Sequence, residues 1–374
     1  MPSSKQFLLM YIIFKFLLLN VTHCNDENQK EDSDSCEVLM QEGINSYLEN
    51  NFKGCIEKLE KAVEKYNILS KQLQNCRLEC AKEVEDSIPL YSLDVNNLRF
   101  FEKAVRNTLC IMKCKNEHPD LIEFNNIPVE IERKFHNKTP YEYLHLCYFQ
   151  NKNYQKAASA AFTYLVTNPN DNTTRISLKH YLTLPDVVQN DIVNYEAKDY
   201  VAFYALGVDV YNKKDWVAAI AYMEESLSSY IQSEEECRAQ CEGPFGHNGW
   251  YPDFMPAIAN HFTFVLKCKR ECKNTLNSLN GEKQDDFLPS HYDYLQYSYF
   301  KEKNYQATCA AVASYLLFFP DDQVMRSNMN YYLQLPEVED YFFTPRPEAV
   351  SYIQRQIYEE KLMNFINKEF KKLK

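Results

Sequence analysis

Eight cysteines are spaced for chemistry, and their spacing narrows what that chemistry is. Cys76-Arg-Leu-Glu-Cys80 is followed by Cys110-Ile-Met-Lys-Cys114, and Cys237-Arg-Ala-Gln-Cys241 is followed by Cys268-Lys-Arg-Glu-Cys272. A residue and its i+4 neighbour share one face of an α-helix. Each set therefore reads as two helices, each with a two-cysteine stripe. Facing stripes can hold two disulfide rungs or one zinc ion ligated by all four thiolates. Structural zinc draws on tight C-x2-C knuckles, whereas these are C-x3-C pairs on helices. Disulfides are the expectation, and no metal is expected. If the paired helices run antiparallel, the bonds are Cys80–Cys110 and Cys76–Cys114, then Cys241–Cys268 and Cys237–Cys272. Parallel helices would reverse that pairing. Each inner bond closes a loop of about 26 to 30 residues, worth about 3 kcal/mol of chain entropy.

The other cysteines lie outside this framework. Cys55 occupies the small slot that helix-hairpin repeats usually give to Ala, and it reads as a buried free thiol. Cys36 and Cys55 fall at opposite ends of an antiparallel hairpin, ~20 Å apart, which argues against a bond between them. Cys147 and Cys309 stand opposite Ser298 and Ala158 in an internal repeat set out below, and they stay unassigned.

Catalytic constellations fail on inspection. His291-Tyr-Asp293 has the H-x-D form that opens an iron site, but such a site needs a second, downstream His and none follows. There is no Gly-rich phosphate loop, no G-x-S-x-G and no H-E-x-x-H. The chain is expected to be no enzyme and to need no cofactor. Its 28 tyrosines carry a different hint. Tyr141 and Tyr143 recur as Tyr292 and Tyr294, joined by Tyr297. Flat rings bind polyproline II segments, which arrive preformed. These five residues are the candidate proline-rich-ligand face, although such rings also build ordinary helix-hairpin cores.

The elements that position these residues follow from composition and repetition. The chain has 374 residues, 45% hydrophobic and 25% charged, with only 7 glycines, which suits a helical globular protein. A net charge of −11 argues against a nucleic-acid surface. Residues 1–24 read as a signal peptide, because the apolar run 7–19 is broken by Lys15 and too short to span a bilayer. No other stretch reads as a membrane span. Residues 25–35 read as a disordered polar segment. Asn137 and Asn172 open N-glycosylation sequons, in keeping with a secretory route.

The remainder is written twice. Gly43, Cys76, Cys110 and Pro185 recur as Gly207, Cys237, Cys268 and Pro336. The hairpins ending at Pro169 and Pro320 fit the tetratricopeptide pattern of about 34 residues. The expected fold is an all-α, TPR-like helical-hairpin solenoid of two homologous halves, stapled by disulfides. Its first half spans 36–190, its second 191–340, and a C-terminal helix in 341–374 caps the end.

In combination these motifs resemble the leprecan family. The shared features are Cys-x3-Cys twice, Tyr-x-Tyr-Leu, an Ala-rich helix, Pro-Asn-Asp and Tyr-Leu-x-Leu-Pro, all duplicated. The resemblance covers about residues 36–365. It implies residence in the endoplasmic reticulum lumen, in a complex with a prolyl 3-hydroxylase and cyclophilin B that modifies and chaperones procollagen chains. Catalytic leprecans carry a further C-terminal dioxygenase domain, and this chain ends at Lys374 without one. The resemblance therefore implies the non-catalytic helper type. No luminal retrieval tetrapeptide is present, so retention would rest on partners. The alternative is a secreted extracellular-matrix scaffold.

Overall fold

The computed structural model describes residues 35–124, 127–243, 253–279 and 281–371. The leader at 1–24 and the polar segment up to residue 34 lie outside the described residues. Ser35 is described, and its side chain accepts the Val38 amide to cap the first helix.

Almost every described element is helical. The first copy runs α1 (Cys36–Leu48), α2 (Phe52–Asp86), α3 (Leu98–Glu117), short α4 (Asp120–Phe124) and α5 (Val129–His136), then α6 (Thr139–Gln150), α7 (Tyr154–Thr167) and α8 (Asn172–Tyr181). The second copy runs α9 (Asp199–Asn212), α10 (Trp216–Gln240), α11 (Phe254–Leu276), α12 (Phe287–Lys301), α13 (Tyr305–Phe318) and α14 (Gln323–Tyr332). A final helix, α15 (Pro347–Lys371), follows. The one described sheet is a two-stranded hairpin, β1 (Ser278–Leu279) with β2 (Glu282–Lys283).

Four hairpin turns are built alike, and the sequence explains each. Asn50, Lys152, Lys214 and Lys303 take left-handed backbone conformations, with φ of 61°, 60°, 66° and 60°. Each is followed by Asn51, Asn153, Asp215 or Asn304, whose side chain accepts an amide of the next helix. The amide of that capping residue also reaches back five positions, as in Asn51 N to Ser46 O (2.8 Å) and Asn304 N to Tyr299 O (3.0 Å). One three-residue turn thus closes the first helix and opens the second.

The first stapled helix of each set does not stand alone but continues the hairpin helix before it. The second helix of the first hairpin and the first cysteine-bearing helix are one continuous element, α2, of 35 residues. Helix α10 merges the same two pieces over 25 residues. Between Leu69 and Cys76 the sequence Ser-Lys-Gln-Leu-Gln-Asn holds no Gly or Pro, so nothing stops the helix.

Close packing uses small residues where helices cross. A Cβ on Gly43 would sit 2.6 Å from Leu59 Cγ, and one on Gly207 would sit 2.9 Å from Met223 Cε. Ala157, Ala158, Ala160 and Ala161 of α7 are all fully buried. After α8 and α14 the chain returns as a strap over its own Ala-rich helix. The Tyr195 amide donates to Thr163 Oγ1 at 2.9 Å, and the Arg346 amide donates to Ser314 Oγ at 2.9 Å.

The copies meet along the stapled helices. Buried Arg77 of α2 donates to the carbonyls of Ala239 (2.9 Å) and Gln240 (3.2 Å) at the end of α10. Its counterpart Arg238 pairs with Glu359 of α15, while Arg355 of α15 pairs with the buried Glu234. Among the described residues no helix is long and apolar enough to cross a membrane.

Candidate ligand-binding face

The eight framework cysteines are all bonded. The structure joins Cys80 to Cys110, Cys76 to Cys114, Cys241 to Cys268 and Cys237 to Cys272. Sulfurs bonded to each other are not thiolates, so these sets offer no zinc ligands. A fifth bond corrects the reading of Cys55 as a free thiol, since it is joined to Cys147. Helices α2 and α6 pack against each other, and that neighbour is what the hairpin-slot argument overlooked. Cys36 and Cys309 remain as buried free thiols, and burial pushes both up to about 11. Neither has the lowered pKa of a nucleophile.

The H-x-D motif is absorbed by the core. His291 is fully buried; its Nδ1 donates to the Phe287 carbonyl at 2.9 Å, and its Nε2 lies 2.8 Å from Ser226 Oγ. Burial lowers its pKa to about 4, which keeps it neutral.

The tyrosine face divides in two. Tyr141 and Tyr292 are 6% and 0% exposed, so they are core residues and not ligand contacts. Tyr141 donates to Glu196 Oε1 at 2.9 Å, and the Arg346 guanidinium lies over the Tyr292 ring at 5.9 Å. The other three, Tyr143, Tyr294 and Tyr297, are half-buried and stand in aromatic rows.

Those rows are duplicated ring by ring. In the first copy Tyr47 of α1 lies edge-on to Tyr143 of α6 at 5.6 Å, with Phe52 beside it at 6.4 Å. In the second, Tyr211 of α9 lies edge-on to Tyr294 of α12 at 4.9 Å, with Trp216 at 5.3 Å. Further along, Phe149 meets His180 at 5.8 Å, and Phe300 meets Tyr331 at 5.9 Å. Only the second copy fills the gap between these groups. Tyr297, where the first copy has Leu146, lies 5.5 Å from Trp216 and 6.5 Å from Phe300. Lys301 Nζ stands 4.8 Å over the Tyr297 ring. The result is a continuous row, Tyr294–Tyr211–Trp216–Tyr297–Phe300–Tyr331, across four helices.

Sequence reasoning missed Tyr211, Trp216 and Phe300. The repeat offset held the signal, because Tyr47 and Phe52 map onto Tyr211 and Trp216 across the first hairpin. Burial, with the charge of Asp293 nearby, pushes the Tyr211 phenol up to about 12, and burial also raises Tyr294. Both hydroxyls are thus neutral donors at physiological pH, beside flat rings. Such a row can stack on an extended apolar chain and donate hydrogen bonds to its carbonyls.

Both sequon asparagines, Asn137 and Asn172, are exposed. The Asn168 side-chain amide donates to the Asn137 carbonyl at 2.8 Å. A polar notch of about 240 Å³ between the copies is lined by Asn67, Ser70, Lys71, Gln74, Glu196 and Glu236. Glu196 is already satisfied there by Lys138, Asn67 and Tyr141.

Comparison with known proteins agrees with this architecture. The model for the leprecan family TPR-like repeat region matches residues 35–335. Prolyl 3-hydroxylase 1 of Rattus norvegicus is 33% identical over 349 residues, covering 88% of this chain and 47% of that protein. Endoplasmic reticulum protein SC65 of Homo sapiens is 33% identical, covering 72% of this chain and 62% of that protein. Cartilage-associated protein of Mus musculus is 28% identical, covering 88% of this chain and 82% of that protein. The chain spans about half the length of the prolyl 3-hydroxylases it matches. With the repeat region matched across both copies, the chain belongs to the leprecan family.

Proposed function

We propose that this chain is a non-catalytic helper subunit of an assembly that 3-hydroxylates and chaperones procollagen in the endoplasmic reticulum lumen. A leprecan-type prolyl 3-hydroxylase and cyclophilin B are its proposed partners. Its own part is to hold proline-rich chain on the aromatic row Tyr294–Tyr211–Trp216–Tyr297–Phe300–Tyr331. The observation that carries this reading is the row itself: contiguous aromatic rings, the neutral phenols of Tyr211 and Tyr294, and the Lys301 ammonium over Tyr297. Family membership supports the collagen connection, and the likeness to endoplasmic reticulum protein SC65 supports the compartment. His291 is held inside the core, which supports a role without iron chemistry. Asn137 and Asn172 are the proposed glycan sites. The proposed units are 36–190, 191–340 and a terminal cap at 341–374. The equivalent straps after Pro185 and Pro336 support that division.

The test is binding of a Gly-Pro-Pro-rich single chain to purified protein, with Trp216 fluorescence as readout. Binding lost on Trp216→Ala and Tyr297→Ala, with folding intact, supports the reading; a label on the peptide reports binding where the indole is gone. Equal binding by these variants sinks it. Co-purification from secretory cells should recover a prolyl hydroxylase. Recovery of this chain chiefly from the medium, with no hydroxylase bound, would favour the matrix scaffold instead.

A further inference from the structure

Among the described residues, α3 is the one long helix whose residues are all at least partly exposed. Cys110 and Cys114 bind it to α2. At 100° per residue, Leu98, Phe101, Val105, Leu109 and Met112 fall on the face opposite those cysteines. They are 53%, 38%, 57%, 61% and 56% exposed. Single exposed apolar residues are ordinary, but a five-residue stripe at i, i+3, i+7 spacing is the pattern of a helix that packs on something. Two disulfides fix the rotation of α3 against α2, so the stripe cannot turn inward. Its N-terminal end is continuous with the second copy, because Phe101 stacks on Phe254 of α11 at 5.9 Å.

Charge identifies the occupant. Helix α3 carries five Lys or Arg against two Glu, within a chain of net charge −11. Arg99, Arg106 and Lys113 recur every seven residues along one edge of the stripe. Glu102 pairs with Arg106 at 2.8 Å, while Arg99 and Lys113 stand exposed. A second copy of α3 laid antiparallel would bring Lys113 beside the other's Arg99, cation against cation, twice. An anionic membrane would meet the exposed carboxylate of Asp94, which accepts the Arg99 amide at 3.2 Å at the start of α3. A separate helix can place its carboxylates along one edge only.

We infer that the outer face of α3 docks an acidic amphipathic helix of a different protein. The partner lays its apolar face on Leu98–Met112, with its carboxylates along the Arg99–Lys113 edge. The inference rests on α3 and does not depend on the collagen reading. The test uses full-length oxidised protein and a labelled synthetic helix with Leu on one face and Glu along its flanks. A Lys-flanked twin and phosphatidylcholine–phosphatidylserine vesicles are the comparison probes. The Glu-flanked helix should bind at least about tenfold more tightly than its twin, and less tightly as salt rises. Val105→Glu should weaken binding by about tenfold or more, and Arg99→Glu with Lys113→Glu should reverse the preference between the peptides. Val105 is exposed, so its variant should fold, which circular dichroism checks. Equal binding of both peptides would overturn the inference. So would vesicle binding without peptide binding, or a wild-type dimer that Val105→Glu dissolves.

Discussion

Cys55 of α2 is bonded to Cys147 of α6, 92 residues away, in the fully buried layer between the first two hairpins. The equivalent residues of the second copy are Ala219 and Ser298, also buried, and they leave that layer unlinked. The two copies thus hold the same packing contact by different means. In the first copy Cys55→Ala with Cys147→Ala should lower stability by up to about 4 to 5 kcal/mol on chain-entropy grounds. In the second, Ala219→Cys with Ser298→Cys should form a new disulfide and raise the melting temperature. Non-reducing peptide mapping reads both, and a free-thiol second-copy variant would show that the layers are not superposable.

The long framework was open to reading because its signals are local and doubled. The i, i+4 cysteines, the Asn or Asp after each hairpin turn and the repeated Pro residues all sit within one or two helical turns of what they determine. Cys55–Cys147 was not readable in that way. Its partners lie on helices that meet only after the hairpins stack, and the second copy supplies no cysteine to flag the site. The same holds for the aromatic rows. Tyr143 and Tyr294 stood out within one helix, whereas Tyr211 and Trp216 become neighbours of Tyr294 and Tyr297 only through α9–α12 packing. Burial, too, is a tertiary property, and it is what removes Tyr141 and Tyr292 from the ligand face. The uninterrupted run from hairpin into stapled helix was visible as an absence of Gly and Pro, a weaker cue than a positive stop signal.

Arg346 closes the second copy with a two-pronged bond to Glu224, Nη1 to Oε1 at 2.6 Å and Nη2 to Oε2 at 2.8 Å. Burial works against ionisation of Glu224, yet Arg346 and the Tyr299 hydroxyl together hold its pKa below the usual range. The first copy answers with Tyr195 stacked on Tyr141 at 6.2 Å where the second has Arg346 over Tyr292. Arg346→Ala should cost about 1 to 2 kcal/mol, since charged hydrogen bonds contribute about 1.5 to 3 and this pair is partly exposed. Arg346→Lys should recover only part of that, because an ammonium cannot reproduce the fork. Urea midpoints separate the cases, and full recovery by Lys would rule out the bidentate account.

Tyr297→Leu imports the first copy's Leu146 into the second copy. It breaks the continuous row while keeping an apolar side chain at a half-buried position. Affinity for a proline-rich chain should fall by about three- to tenfold, with the melting temperature nearly unchanged. The reciprocal Leu146→Tyr should strengthen binding at the first-copy row. No change in either direction would separate the row from ligand binding.

His145 and Gln296 are equivalent, and each accepts a tyrosine hydroxyl: Tyr181 to His145 Nδ1 at 3.0 Å, Tyr332 to Gln296 Oε1 at 2.7 Å. Burial lowers His145 to about 4, against the opposing pull of Asp171. The unfolded histidine titrates near 6.5. Above that pH both states are neutral and His145 imposes no penalty. Between about 6.5 and 4 the unfolded chain takes up the proton first, so stability falls as the pH falls, by on the order of 3 kcal/mol at the lower limit. His145→Gln keeps the acceptor and removes the titration. Its stability should match wild type near pH 7.5 and exceed it at pH 5. Parallel pH curves would mean that His145 protonates alike in both states.

Arg77 and Arg238 hold the same place in their copies, one residue after the first cysteine of a stripe, but they face different neighbours. Arg77 gives its guanidinium to the last carbonyls of α10, where the negative end of the helix dipole favours a cation, and so it ties the first copy to the second. Arg238 reaches Glu359 and ties α10 to α15. Truncating Arg77 to Ala removes two charge-assisted hydrogen bonds across the joint, although the Ala239 carbonyl keeps the Glu242 amide at 3.2 Å, and should cost about 2 to 3 kcal/mol. The loss should show as faster amide exchange at the C-terminal turn of α10 and in the strap at 193–198, with α15 unaffected. Arg238→Ala should do the reverse, speeding exchange in α15 and sparing the joint between copies. In each case the four staple disulfides stay oxidised, so the change reports loosened docking and not an unfolded stripe. Uniform exchange in both variants would show that the solenoid opens as one unit and that neither arginine marks a seam.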